Sequence, residues 1–174
     1  MTRIAKLLVL LLAASCVRRE PLPPLTGPAM PAAPLIFQLP TYPGGELHDL
    51  TADRGQVVLL DVWATWCEPC RDSLPLYEQL LKHYGDRGFR VYTLNVDEDP
   101  RQIAPFVEQT KLSLPILLDQ RAAVSERMLR VRVMPSSFLL DKKGVVRFVH
   151  EGFAEEFLAR YQTEIEELLA EPAE

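Results

Sequence analysis

From Leu35 onward the apolar positions switch between two periodicities, and each switch marks an element. QVVLLDVW, residues 56–63, is an almost unbroken apolar run rich in β-branched residues, the pattern of a strand covered on both faces. Beyond it Leu74, Tyr77, Leu80, Leu81 and Tyr84 recur at helical spacing, and Gly85 and Gly88 bracket the exit. FRVYTLNV reads as a strand, and PRQIAPFVEQTK as a helix opening at Pro100 with Asp99 as its cap. PILLD reads as a short strand and AAVSERML as a short helix; SSFLLD and VVRFVH form a hairpin around Lys142, Lys143 and Gly144. The last element, Glu155 to Leu169, carries Phe157, Leu158, Tyr161, Ile165, Leu168 and Leu169 on one face. Upstream, LIFQL, the turn YPGGE and LHDL predict a short strand pair or an extended arm. No internal repeat is visible. Alternating β and α segments ending in a hairpin and a helix give an α/β domain with a mixed central sheet over residues 35–171.

Residues 1–34 follow other rules. Arg3 and Lys6 precede an apolar block from Leu7 to Ala14, then small residues lead to Cys16, which is the shape of an export signal over residues 1–16. The block is well short of the roughly 20 residues a spanning helix needs. Small residues directly before a cysteine also resemble the lipobox of bacterial lipoproteins, which would make Cys16 the acylated N-terminus; Ala13 stands where leucine is commonest. Ordinary cleavage near Ser15 and a retained helix are the alternatives. Residues 17–34 hold Pro21, Pro23, Pro24, Pro28, Pro31 and Pro34 and read as a semi-rigid spacer. In polyproline geometry it would reach up to roughly 55 Å from a membrane.

A chain of 174 residues with 48% hydrophobic side chains supports one domain with a real core. The net charge of −5 offers no broad cationic surface, so nucleic acid is not an expected partner. Three cysteines in an exported chain leave one unpaired, and lipid on Cys16 would account for it.

The remaining two, Cys67 and Cys70, stand in DVWATWCEPC. A zinc site wants four ligands, yet there is no second pair, and His48, His83 and His150 are scattered. A structural staple closing so short a loop would contribute only roughly 2 kcal/mol. Redox exchange suits the local geometry better. Cys67 ends a strand and opens a helix, where unpaired backbone N–H groups and the helix dipole favour a thiolate. Pro69 is tolerated in the first turn, and Cys70, one turn in, is placed to attack a mixed disulfide formed at Cys67.

WATWCEPC resembles the active-site segment of the thioredoxin superfamily, and the wider context is similar to its membrane-anchored TlpA/ResA-like branch of thiol-disulfide oxidoreductases. The likeness runs from about Leu35 to Leu169 and includes LNVDEDP, LPILLD and MPSSFLLDKKGVV. It implies a thioredoxin-like fold, a mixed central sheet flanked by helices, with an extra N-terminal strand pair and a central insertion. It implies Cys67 as attacking and Cys70 as resolving thiol, exposed at a helix start and facing a cis-proline at Pro135. By the same resemblance Asp61, whose burial should raise its pKa, lies below Cys70 and relays its proton; a satisfied structural carboxylate is the alternative. Trp66, Glu68, Pro69, Met134 and Pro135 are the expected substrate-facing residues, Trp63 belongs to the core, and Pro75 kinks the helix. Ser73 departs from the pattern, since ResA-like proteins often carry glutamate there.

The expected protein is a monomeric cell-envelope lipoprotein facing the periplasm or extracytoplasmic space. It would need no cofactor beyond the Cys67–Cys70 disulfide and no metal. It would reduce disulfides in exported clients, with cytochrome c maturation as one pathway, and be re-reduced by a membrane thiol donor of DsbD type. Two rivals are a copper-binding module using Cys67, Cys70 and His150, and a thiol peroxidase. Arg127, Arg130 and Arg132 form either a solvated charged face or a steering patch for an acidic partner.

Overall fold

The structure, a computed structural model, describes residues 33–154 and 156–172. Cys16, the signal segment and most of the proline-rich spacer lie outside the described residues. Seven strands form one sheet: β1 (Gln38–Tyr42), β2 (Leu47–Asp49), β3 (Val57–Trp63), β4 (Phe89–Asn95), β5 (Ile116–Leu118), β6 (Ser136–Leu140) and β7 (Val146–Glu151), in the order β2-β1-β5-β4-β3-β6-β7. The β3–β4 and β4–β5 pairs are parallel and all others antiparallel, so the sheet is mixed. Among the described residues three α-helices accompany it: α1 (Glu68–Tyr84), α2 (Ile103–Thr110) and α3 (Phe157–Ala170). Among the described residues, no helix is long and apolar enough to cross a membrane.

β3 is central, and all seven of its residues are buried, which is why its sequence reads as an apolar run rather than an alternation. Its odd positions Val57, Leu59 and Trp63 join Leu74, Tyr77 and Leu80 of α1 and Tyr161, Ile165 and Leu168 of α3 in one core. Its even positions Val58, Leu60 and Val62 join Leu35, Phe37, Leu50, Val124 and Leu129 on the opposite face. Asp61, an odd position, therefore points beneath the helices.

The expected elements appear with three changes. The first strand begins at Gln38 rather than Leu35, and Tyr42–Pro43 at its end is a cis bond. The helix expected from Pro100 starts as a 3₁₀ turn, Pro100–Gln102, before α2; Asp99 caps it by accepting from the Arg101 N–H at 3.0 Å. AAVSERML forms a π-helical turn, Ala123–Met128, because the Asp119 carboxylate accepts from the N–H groups of Ala123, Val124 and Ser125 and fixes a wider winding. The segment carrying α2 and β5 is the expected central insertion, and β1–β2 the expected N-terminal pair. In the β6–β7 turn Gly144 has φ +78°, a left-handed conformation that favours glycine, and a side chain there would have to displace the Arg54 guanidinium.

Candidate active site

β3 ends at Trp63, and four residues carry the chain from the sheet to α1. The loop is held from β4: the Asp97 carboxylate accepts from the Thr65 N–H and the Thr65 hydroxyl, each at 3.0 Å, and from Asn95 Nδ2 at 2.7 Å. Asn95 Oδ1 in turn accepts from the Asp97 N–H. All of the clamp's side chains except Thr65 are buried, so the turn ahead of the cysteines is fixed from the core side. Sequence reasoning met Asn95 and Asp97 only inside LNVDEDP and Thr65 only inside WATWCEPC, and assigned them no role. The signal was present: an Asx pair directly after an apolar strand is where a neighbouring loop finds acceptors.

Cys67 is the N-cap of α1, with extended backbone and no side-chain capping bond, and Pro69 follows in the first turn. Cys67 and Cys70 are joined, Sγ to Sγ at 2.01 Å with Cα atoms 5.4 Å apart. Their exposure corrects the sequence expectation: Cys67 is 5% exposed and Cys70 fully buried. The rim is exposed instead, with Trp66 at 69% beside exposed Glu68 and Pro69. A first turn packed against the sheet buries its own inner edge, so the dithiol sits in the core cluster while its chain neighbours meet solvent.

Met134–Pro135 is a cis bond, as expected. Met134 is half-buried and packs against the same core cluster that holds both cysteines. With Trp66 it lines a groove of about 470 Å³ that also takes in Gln120, Arg121, Ser125 and Arg132. Val133, 51% exposed, adds apolar surface next to the cis bond. Of the expected substrate-facing residues, Trp66 and Met134 share the groove, whereas Glu68, Pro69 and Pro135 do not line it; Glu68 and Pro69 are exposed on the first turn of α1 and Pro135 is buried. Trp63 is fully buried and packs on Phe106 with ring centroids 4.8 Å apart, as expected of a core residue.

Asp61 is fully buried. Neither carboxylate oxygen has a hydrogen-bond partner among the described residues. Desolvation pushes its pKa well above the ordinary carboxyl value, and the facing Tyr77 hydroxyl acts in the lowering direction without closing a bond to either oxygen. Tyr77 stands seven residues after Cys70 on the same face of α1, two turns along. Burial and the facing Asp61 push the Tyr77 hydroxyl up as well, so it stays neutral. Ser73 is buried and its hydroxyl donates to the Cys70 carbonyl at 3.2 Å. His150, the histidine that a copper site would need, is buried with Nε2 2.6 Å from Glu164.

Comparison with known proteins agrees with this geometry. Residues 31–149 match the AhpC/TSA family. The chain is 35% identical over 119 residues to the thioredoxin-like protein YneN of Bacillus subtilis, covering 67% of this chain and 68% of that one. It is 34% identical over 108 residues to the thiol-disulfide oxidoreductase ResA of Geobacillus thermodenitrificans, covering 62% of each. A crystal structure of a candidate thiol:disulfide interchange protein DsbE from Chlorobium tepidum superposes with TM-score 0.75 at 30% identity, covering 82% of this chain and all of that one. A dithiol seated at a helix start on this sheet, in a chain with these relatives, exchanges disulfides: the protein belongs to the AhpC/TSA family and is a thioredoxin-like thiol-disulfide oxidoreductase.

Proposed function

We propose that the protein works in the cell envelope, where it reduces disulfides in exported proteins. The Cys67 thiolate attacks a client disulfide, and Cys70 then attacks the mixed intermediate, so the client leaves reduced and the pair is left oxidised. Asp61 takes the proton that Cys70 must lose. Trp66, Met134 and the backbone before Pro135 receive the client strand, while Glu68 and Pro69 shape the rim. The observation that carries this reading is the Cys67–Cys70 pair at the start of α1, next in the chain to Trp66, a 69% exposed residue that lines the groove.

Anchoring through an acylated Cys16 and a proline-rich tether over residues 17–34 would keep the domain, residues 35–171, close to a membrane thiol donor of DsbD type. Cytochrome c maturation is one pathway that needs such a reductase. In this reading the protein acts as a monomer and uses no cofactor beyond the cysteine pair.

Two measurements test the reading. Wild-type protein should reduce insulin in the presence of a thiol donor, and Cys67→Ser should not. The equilibrium potential of the pair against glutathione should be clearly more reducing than that of strong oxidants; a value among strong oxidants would reverse the direction. Retention of Cu(I) without any disulfide exchange would favour the metal-binding rival, and a rapid peroxide burst at Cys67 the peroxidase.

A further inference from the structure

Beneath the helices a row of polar side chains crosses four apolar strands. Thr93 of β4 is in register with Asp61 of β3, Asp61 with Ser137 of β6, and Ser137 with His150 of β7. Register partners share a face, and all four are essentially sealed from solvent. The helices add two tyrosines above the row. Tyr77 and Tyr161 share a hydrogen bond between their hydroxyls at 3.2 Å, and the Tyr161 hydroxyl also bonds closely to Ser137 Oγ. Tyr161 lies against the His150 ring with centroids 4.4 Å apart. His150 Nε2 is 2.6 Å from Glu164, whose side chain, 13% exposed, reaches the surface on α3.

Burying so many polar groups in an apolar core is costly unless each is paired. Most are, but the exceptions fall at the two ends of the hydroxyl trio. Asp61 Oδ1 and Oδ2 lack a partner at one end, and His150 Nδ1 lacks one at the other. Those two open positions are the joints that a relay along the row must close, by rotation of the Tyr77 hydroxyl at one end and of the Ser137 hydroxyl or the imidazole at the other.

From this arrangement we infer that Asp61, Tyr77, Tyr161, Ser137, His150 and Glu164 form a proton path from beneath the dithiol to solvent beside α3. The inference rests on the reading of Asp61 as the acceptor of the Cys70 proton. In the second exchange step the Cys70 thiol loses its proton to the Asp61 carboxylate. Its sulfur then forms the bond to Cys67 Sγ, the bond between Cys67 and the client breaks, and the client sulfur leaves with the electron pair. Asp61 is then neutral under a closed disulfide and a bound or departing client, so its proton needs another exit. Each hydroxyl of the trio can accept one proton as it donates another, and the imidazole can accept at Nδ1 while giving up a proton from Nε2 to Glu164. Burial keeps both tyrosines neutral, as a relay of hydroxyls requires. Charged and titratable groups reach the path from α1 as Tyr77 and Cys70, from α3 as Tyr161 and Glu164, and from β7 as His150. Tyr161 is a positioning and relay residue, since it meets no client atom.

The test uses reduced full-length protein and the aromatic disulfide 5,5′-dithiobis(2-nitrobenzoate), whose two released thiolates report the two steps in one stopped-flow trace. The first phase is attack by Cys67, and the second is attack by Cys70. In Tyr161→Phe the first phase should be unchanged. The second should slow by about tenfold near neutral pH, within the roughly hundredfold or more that positioned proton transfer can supply. It should also gain a solvent deuterium isotope effect and be rescued by a small buffer base such as imidazole. Glu164→Gln, at the surface, should show the same pattern in weaker form and guards against a folding defect in the first variant. If both variants leave the second phase unchanged while Asp61→Asn slows it, the path is wrong and the Asp61 role stands. If Asp61→Asn also leaves it unchanged, the reading of Asp61 itself falls. Slowing without an isotope effect or rescue marks the tyrosine as a packing residue and overturns the inference.

Discussion

Two buried carboxylates on opposite sides of the sheet have contrary surroundings. Asp119, behind the groove, is 2% exposed and accepts from three consecutive backbone N–H groups. Asp61, on the face of β3 that packs beneath α1 and α3, is fully buried and accepts from none. The first carboxylate supplies what a helix start lacks, so its charge is compensated and its role is to set the wall of the groove. Burial of the second is uncompensated, which costs stability and raises its pKa. That contrast is what the proposed role of Asp61 as proton acceptor rests on. Asp97 sides with Asp119: its three accepted bonds fix the loop ahead of Cys67.

The contrast can be broken by substitution. Asp119→Ala should have the largest effect, because it orphans buried N–H groups at Val124 and Ser125 that cost about 1–3 kcal/mol each. Urea unfolding should show a loss of about 3 kcal/mol, with thiol reactivity of the folded fraction largely retained; a neutral outcome would remove Asp119 from the structural class. Asp61→Asn should act in the opposite direction. The folded state holds a proton that the unfolded chain releases above the ordinary carboxyl value of 3.8, so wild-type stability falls as pH rises from there to the raised folded value and is flat beyond it. The variant should lose that slope of at most about 1.4 kcal/mol per pH unit and gain relative to wild type as pH rises through the window. Equal pH dependence in both proteins would show that Asp61 is not uncompensated.

Smaller effects sharpen the account of the loop and rim. Thr65→Val removes the hydroxyl bond to Asp97 but keeps the backbone one, and thermal unfolding should show a loss of about 1 kcal/mol with a modest rise in the Michaelis constant for insulin. Trp66→Ala should leave stability within about 0.5 kcal/mol, as for other exposed side chains, while raising that constant further. A Trp66 variant that unfolds more readily would place the ring in the core instead of at a client-facing rim.

Much of this was legible in the chain. The apolar run of β3, the helical stripe of α1 and the cysteines between them are strong local signals, and they placed the dithiol correctly. The Asp61 anomaly was visible because a carboxylate in VVLLDVW has few explanations. The exposure of Cys67 was not legible, because it depends on how the first turn of α1 settles on the sheet. Tyr77 and Tyr161 read as two more apolar positions on their helix stripes; only the fold shows their hydroxyls meeting. Thr93, Ser137 and His150 were each a polar residue in an otherwise apolar strand, a repeated irregularity that marks the row once strand register is known. The winding of residues 123–128 turned on Asp119, a side chain outside the segment whose periodicity was being read.

The central claim is that Asp61 is a buried, uncompensated acid beneath the cysteine pair. Infrared spectra of the oxidised full-length protein, taken against Asp61→Asn across a pH titration, observe its carboxyl stretch directly. The account predicts a neutral-acid band that persists in the wild type well above the pH at which exposed carboxyls have ionised, and that is missing from the variant. Loss of that band together with the exposed carboxyls would contradict it.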